Sequence, residues 1–402
     1  MISDKLMAGD DAVDPESLQS GEAGYRASSP ARRGAEQSAI DVYVHLAVDK
    51  DAVAWKRNRE SGRLVGINDP TPYGYGRASA MGCNVTFSTS KRESRFEKLC
   101  RLGVRAIVGF DAVHAWRNRD AIQRADVVWT HTESQYLSVA LVGALLRRRV
   151  GLIGQTIWLI DAWDALTWPR KALLRRLIAR VDVLTVHSPE NFARAKALFP
   201  ATNVRLVKFG IPAEAKQAPR ARAGHPVVNV MALGNDRHRD WQTLIDAVSG
   251  MPHLRLKILS GSVPKALVKN QPNIEVARAT SNDELHRAFD EATLVCVPLG
   301  KNLHASGLTA IQEAVLSGVP VVATDVGGLS SYFSADEVRY VPPGDARALR
   351  AAFDEIAGDP ASALERASRA QARMAGPDDI GAHAYVRRHV ELSREILRWA
   401  RA

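Results

Sequence analysis

Cysteine is scarce: the chain of 402 residues has three, Cys83, Cys100 and Cys296, scattered and without metal-binding spacing. That excludes a disulfide framework and fits a reducing compartment. Long apolar runs are missing as well. None approaches the roughly 20 residues that cross a bilayer, and the N-terminus has no apolar core of the secretory kind. No His or Cys pair stands at zinc spacing, and no Gly-x-x-x-x-Gly-Lys-Ser/Thr loop is present to hydrolyse ATP. No recognised nucleic-acid module is visible. A resident metal, a cofactor and a nucleic-acid partner are therefore not expected.

Positive charge is abundant. The formal net charge is +10, which favours anionic partners. Basic residues cluster at Arg147-Arg148-Arg149 and from Arg170-Lys171 through Arg175-Arg176 to Arg180. Both clusters are interleaved with Leu and Ile at helical spacing. That pattern fits an anionic membrane surface, and it equally fits the solvated face of a helix packed on a core. A hydrophobic content of 46% with 24% charged residues is that of a globular protein, and the length allows two domains.

Residues 1–38 are rich in Ser, Gly, Ala, Asp and Glu with little periodicity, and read as a disordered leader. From residue 39 to 212, short apolar runs alternate with helical patterns, including runs at Asp41–Val48, Asn84–Ser88, Val104–Val108, Asp126–Trp129, Gly151–Trp158 and Val181–His187. These predict a parallel sheet covered on both faces, an α/β domain. Residues 213–225 read as a linker. A second alternating series fills 226–375, and 376–402 ends in a long amphipathic helix from Ala382.

The most informative stretch runs from Asn302 through His304-Ala305-Ser306-Gly307-Leu308-Thr309 and Glu313 to Gly318-Val319-Pro320 and Gly327-Gly328. It reads as loop, helix, turn, strand and Gly-Gly loop. A small-residue loop feeding a helix N-terminus makes an anion site, because free amides and the positive dipole end point outward together. A carboxylate such as Glu313, one to two turns into that helix, can accept hydrogen bonds from two sugar hydroxyls.

This stretch resembles the nucleotide-sugar site of GT-B glycosyltransferases, in particular the retaining family four enzymes of bacterial polysaccharide synthesis. The resemblance is close over about residues 225–335 and only architectural over 40–212. It implies two Rossmann-like domains facing a central cleft, with the C-terminal helix crossing back to the first. It places the backbone and hydroxyl of Ser306, Gly307, Leu308 and Thr309 on the donor phosphates, Glu313 on the ribose, and Gly327-Gly328 on the far side of the donor pocket. The family's first acid falls on Ala305, which leaves His304 or Asn302 to face the transferred sugar. The family's diphosphate-neutralising Lys falls on Arg239 and its Arg on Gly234, so Arg237 is left to supply the missing charge.

In the first domain, Tyr73-Gly74-Tyr75-Gly76 forms a loop that the resemblance places under the donor and beside the acceptor cleft; a backbone requirement alone also explains its glycines. His131, Glu133 and Asp161, with Asp164, stand at or just beyond strand ends, where ligands of open α/β sheets gather. They are candidates to touch the sugar or the acceptor hydroxyl, and equally candidates for caps and satisfied polar groups. His187 reads as structural, with Ser188 as a helix cap.

The resemblance thus implies a metal-independent hexosyltransferase with a UDP-linked donor and a saccharide acceptor. The acceptor would be lipid-linked, an exopolysaccharide or lipopolysaccharide intermediate, and the protein cytoplasmic or peripheral on the inner face of the cell membrane. Transfer would retain configuration, the leaving phosphate helping to deprotonate the acceptor. Inversion with His131 or Glu133 as base, another enzyme on the same fold, and a non-catalytic nucleotide-binding relative remain as alternatives, the last because of Ala305 and Gly234.

Overall fold

A computed structural model describes residues 39–220, 227–376 and 380–401. The expected leader and part of the expected linker lie outside these residues.

The first sheet holds β1 (Ile40–His45), β2 (Cys83–Phe87), β3 (Val127–Thr130), β4 (Gly151–Gln155), β5 (Val183–Val186) and β6 (Val204–Leu206). Its order is β2-β1-β3-β4-β5-β6, with every pairing parallel. Helices α1 (Ala52–Glu60), α2 (Arg95–Val108), α3 (Ala112–Arg117), α4 (Arg119–Arg124), α5 (Glu133–Leu145), α6 (Leu159–Ala162), α7 (Trp168–Ile178) and α8 (Pro189–Leu198) connect its strands. Successive strand residues bury on opposite faces. Tyr43, Val128, Leu152 and Leu184 pack with α5 and α7, and Val42, Trp129, Ile153 and Val183 pack on the other side.

The second sheet holds β7 (Val228–Leu233), β8 (Leu254–Leu259), β9 (Ile274–Ala277), β10 (Leu294–Val297), β11 (Val321–Thr324) and β12 (Arg339–Val341). Its order is β12-β11-β10-β7-β8-β9, again parallel throughout. Its helices are α9 (Trp241–Val248), α10 (Asn282–Glu291), α11 (Leu308–Leu316), α12 (Ala346–Gly358) and α13 (Pro360–Ala375). In each sheet the order reverses at one point, between β1 and β3 and between β7 and β10. A doubly wound sheet opens a crevice there, at the strand C-termini.

The last helix, α14 (Ala382–Arg401), crosses back onto the first sheet. Tyr385, Val386, Val390 and Ile396 pack with Val42, Trp129 and Ile153. The Trp129 indole donates to Ser393 Oγ at 2.8 Å, and Arg394 donates to the Met81 carbonyl at 2.9 Å. The expected crossing helix is therefore in place.

One expected strand is a helix. Val104–Val108 forms the last turns of α2, which starts from a Ser94/Glu97 capping box and ends at Gly109 with φ +91°. A short apolar run fits strand or buried helix equally by pattern alone. The basic cluster of α7 is the solvated side of a core helix: Leu174, Leu177 and Ile178 are buried, while Arg175 and Arg176 are exposed. Among the described residues no helix is long and apolar enough to cross a membrane.

Candidate active site

The loops after β7 and β10, on either side of the second sheet's reversal, are laced together. Arg239 bridges to Leu299, the Asp240 amide donates to the Pro298 carbonyl at 3.1 Å, and the Gly300 amide donates to the His238 carbonyl at 2.8 Å. This brings Arg239 against the N-terminus of α11. A Cβ added to Gly307 would lie 2.5 Å from Arg239 Nη1, and a Cβ on Gly234 would overlap Nη2. Gly234 has φ +117° and Gly307 has φ +82°, so both glycines are needed for backbone conformation as well as for space. The guanidinium lies in the slot they leave. Burial draws its pKa down to about 10, which leaves it charged at neutral pH.

Four buried polar atoms near this helix end have no hydrogen-bond partner among the described residues: Arg239 Nε and Nη1, His304 Nε2 and Ser306 Oγ. Among the described residues the amides of half-buried Gly307 and exposed Thr309 also make no hydrogen bond, whereas the Ser306 amide donates to Asn302 Oδ1 at 3.2 Å and the Leu308 amide to the Ala305 carbonyl at 3.2 Å. Buried donors left unpaired are costly. Their convergence on a helix N-terminus, with a buried cation beside it, makes a site for an anion of more than one charge.

His304 joins the two domains. Its Nδ1 lies 2.9 Å from Asp161 Oδ2 on α6, and the Leu303 amide donates to Asp161 Oδ1 at 2.8 Å. Its Nε2 faces Asp236 Oδ2 at 3.6 Å, an ion-pair distance longer than a hydrogen bond. Burial alone would lower the imidazole's pKa; the hydrogen bond to Asp161 and the nearby Asp236 outweigh it and raise it to about 9. Asp236, also bonded to His238 at 3.1 Å, is held well below the usual carboxylate range by these imidazoles against the cost of its own burial. Asp236, His238 and His304 have ligand atoms close enough together to hold a metal ion. A protonated His304 offers no lone pair, so a metal would first have to displace a proton that two carboxylates stabilise.

Glu313 is buried on α11. Its Oε1 accepts the Ile67 amide of the first domain at 3.1 Å, and a Cβ on Gly66 would overlap it. Burial raises its pKa to about 7, which the Ile67 amide offsets only in part.

Residues 227–359 match the sequence profile of the family described as glycosyl transferases group 1, about a third of the chain. Those residues form a glycosyltransferase domain, and the chain has the GT-B fold. No curated protein matches it by sequence. Among solved structures it is similar to a sucrose-phosphate synthase from Thermosynechococcus elongatus, with 19% identity and a TM-score of 0.68 over 89% of this chain and 99% of that one. It is similar to HepE of Anabaena, solved in complex with UDP-glucose, with 14% identity and a TM-score of 0.59 over 90% of this chain and 99% of that one. It is also similar to a UDP-forming α,α-trehalose-phosphate synthase from Burkholderia vietnamiensis, with 12% identity and a TM-score of 0.56 over 89% and 100%.

Of the expected donor-side residues, Arg239, His304, Ser306 and Gly307 gather at the start of α11, Thr309 is exposed in its first turn, and Glu313 lies further along the same helix against Ile67. Leu308 is a core residue with its amide already used. Arg237 is exposed in its loop. Asn302 braces the loop, accepting from Ser306 and donating to the Gly300 carbonyl at 3.1 Å, so the role once open to it is left to His304. Gly327 gives room to Asn302 and Gly328 to Glu190 at the start of α8, so this pair allows close approach.

The first-domain candidates divide. Tyr73 stacks on His131 with ring centroids 3.5 Å apart, and Tyr75 Oη lies 3.1 Å from His131 Nδ1. Tyr73 (φ +54°) and Gly74 (φ +77°) form a left-handed pair that turns the loop onto the ring, while Gly76 leaves room for Thr71. Tyr75, Tyr385 and Gln155 continue the network at 2.6 Å and 2.5 Å, a link that the sequence pattern, which marked Tyr385 only as apolar, did not reveal. Burial holds His131 neutral, its pKa well below the usual value. Its Nε2 has no partner among the described residues.

Glu133 is a structural anchor. Its Oε1 accepts the Ile157 and Leu159 amides, each at 2.7 Å, and so fixes the turn into α6. Asp161 is spent on Leu303 and His304. Asp164 is exposed and paired with Arg194 at 2.7 Å. His187 Nδ1 donates to the Val207 carbonyl at 2.9 Å, and Ser188 caps α8 as expected. The Asp-x-Asp spacing at Asp49-Lys50-Asp51 is structural too: Asp51 caps α1 and accepts the Ser90 amide at 2.9 Å.

Proposed function

We propose that the chain transfers a hexose from a UDP-linked donor to a saccharide hydroxyl, with retention and without a metal. The observation that carries this reading is the set of unpaired buried donors around Arg239 and the start of α11, with Glu313 further along the same helix. The diphosphate takes the slot between Arg239, the Gly307 and Thr309 amides, Ser306 Oγ and the His304 imidazolium. Glu313 accepts the ribose hydroxyls once it is ionised. HepE solved with UDP-glucose and the UDP-forming synthase support uridine diphosphate as the carrier.

In the reaction the bond from the sugar's anomeric carbon to the phosphate oxygen breaks and a bond to the acceptor oxygen forms, through an oxocarbenium-like state. Arg239 and His304 stabilise the charge that develops on the leaving diphosphate, inside a cleft where preorganised donors are worth more than in water. The acceptor proton passes to the leaving phosphate oxygen. Retention is favoured over inversion because Glu133 Oε1 is tied to two backbone amides that fix the carboxylate in place, although its Oε2 is buried without a partner, and His131, held far below its normal pKa, is a weak base.

The acceptor is a lipid-linked saccharide of exopolysaccharide or lipopolysaccharide assembly, and the protein works in the cytoplasm at the inner face of the membrane. The net charge of +10 supports this placement. The test is to incubate the protein with a panel of UDP-sugars and saccharide acceptors in chelator and to follow the anomeric proton of the product by NMR. UDP release with an α-linked product from an α-linked donor supports the reading. A β-linked product overturns retention, and a requirement for added metal overturns metal independence.

A further inference from the structure

Helix α2 is turned inside out. Its buried residue is charged: Arg101 bonds Glu93 through Nε at 2.9 Å and Asp111 through Nη1 at 2.5 Å, and Glu93 also pairs with Arg117. At 3.6 residues per turn, Phe96, Leu99, Gly103 and Ile107 fall on the side away from Arg101. Phe96 is 74% exposed, Leu99 68% and Ile107 86%. A helix of a globular protein normally shows the reverse, with apolar residues inward and charges outward. Here ion pairs hold the helix to the domain, and an apolar stripe faces solvent.

The stripe is flanked by exposed cations. Lys91, Arg92, Arg95 and Lys98 are exposed at its N-terminal end. The first turn also carries the cap acid Glu97, so these four cations form a basic surface at that end without leaving the helix dipole unopposed. At the other end, Arg170 of α7 packs over Gly109, which brings Trp168, 79% exposed, to the same edge of the domain. An exposed aromatic next to a basic, apolar helix is the composition of an interfacial anchor.

We propose that α2 is the membrane-docking element: it lies in the headgroup region of an anionic bilayer with Phe96, Leu99 and Ile107 inserted and Lys91, Arg92, Arg95 and Lys98 on the lipid phosphates. Charge complementarity selects anionic lipid over a second copy of this chain, which would set the same cations against one another. The inference rests on the membrane placement proposed above and gives it a surface: the docked side is α2, and the α7 cluster, whose inner face is core, is not the anchor.

The test is sedimentation of the full chain with phosphatidylcholine vesicles, with and without phosphatidylglycerol, for the native protein and a variant carrying F96S, L99S and I107S. The native protein is expected to pellet with the anionic vesicles, and the variant to lose this by about tenfold or more while keeping its melting temperature. A second variant, R95E with K98E, should lose binding to anionic vesicles alone. Three results overturn the proposal: no vesicle binding by the native protein, equal binding by the triple variant, or a dimer in light scattering that the triple variant dissolves. A calorimetric titration with UDP on the same samples separates the two readings. UDP binding without vesicle binding sinks only the membrane surface, and vesicle binding without UDP binding sinks only the donor site.

Discussion

The Asp161 carboxylate on the first domain holds the His304 imidazole of the second at 2.9 Å, and the Leu303 amide fixes the same carboxylate at 2.8 Å. One side chain thus ties the cleft shut and sets the charge of a donor-site residue. Asp161→Asn keeps the shape and removes the charge. It is expected to let the His304 pKa fall from about 9 back toward its ordinary 6.5, and to cost about 2 kcal/mol of stability. The check is the pH dependence of donor KM together with the melting curve. An alkaline limb that stays in place contradicts the coupling.

Gly234 departs from the family pattern for a local reason: the Arg239 guanidinium occupies the space a side chain would take. Gly234→Ala is expected to displace the guanidinium and strain the φ of +117°. Donor affinity should fall by about 3 kcal/mol, on the order of a hundredfold. Adding Arg239→Ala to Gly234→Ala should weaken binding little further, because both act on one contact. Additive losses, measured by titration calorimetry, would refute the shared slot.

Much of this was legible in the chain and some was not. The stretch from Asn302 to Gly328 showed its helix, strand and acid by spacing, because local pattern and fold agree there. The roles of Glu133, Asp161 and Arg237 were not legible. Whether a side chain at a strand end or in a loop meets a backbone amide, another side chain or open solvent is decided by a segment distant in sequence, such as Ile157–Leu159 for Glu133. The helix at Val104–Val108 was hidden for the opposite reason. An apolar run implies burial only if nothing else covers it, and α2 carries its apolar side outward.

Glu313 has its pKa raised from 4.5 to about 7 by burial. A raised carboxylate pKa gives the folded state stability that is full below 4.5 and lost as pH rises through 7. Donor binding runs the other way, since only the carboxylate accepts two ribose hydroxyls. The donor KM is expected to fall as pH rises through about 7 and to climb again as His304 loses its proton near 9. Glu313→Gln should flatten the acid limb and leave the alkaline one. Rate measurements across this range decide it.

Glu133→Ala tests the reassignment of that residue from base to anchor. Freeing the Ile157 and Leu159 amides should cost about 2–4 kcal/mol of stability and lower the melting temperature. The kcat of the folded fraction should change by less than about tenfold, below the loss expected for a general base. A drop in kcat with an unchanged melting curve would restore Glu133 to catalysis.

The central claim is that the unpaired donors at the start of α11 await a nucleoside diphosphate. Titration calorimetry with UDP, uridine and the Arg239→Ala variant tests it most directly. The account predicts that UDP binds the native protein, that uridine binds much more weakly, and that Arg239→Ala loses on the order of a hundredfold of the UDP affinity. UDP binding that is absent, or that survives Arg239→Ala unchanged, would contradict it.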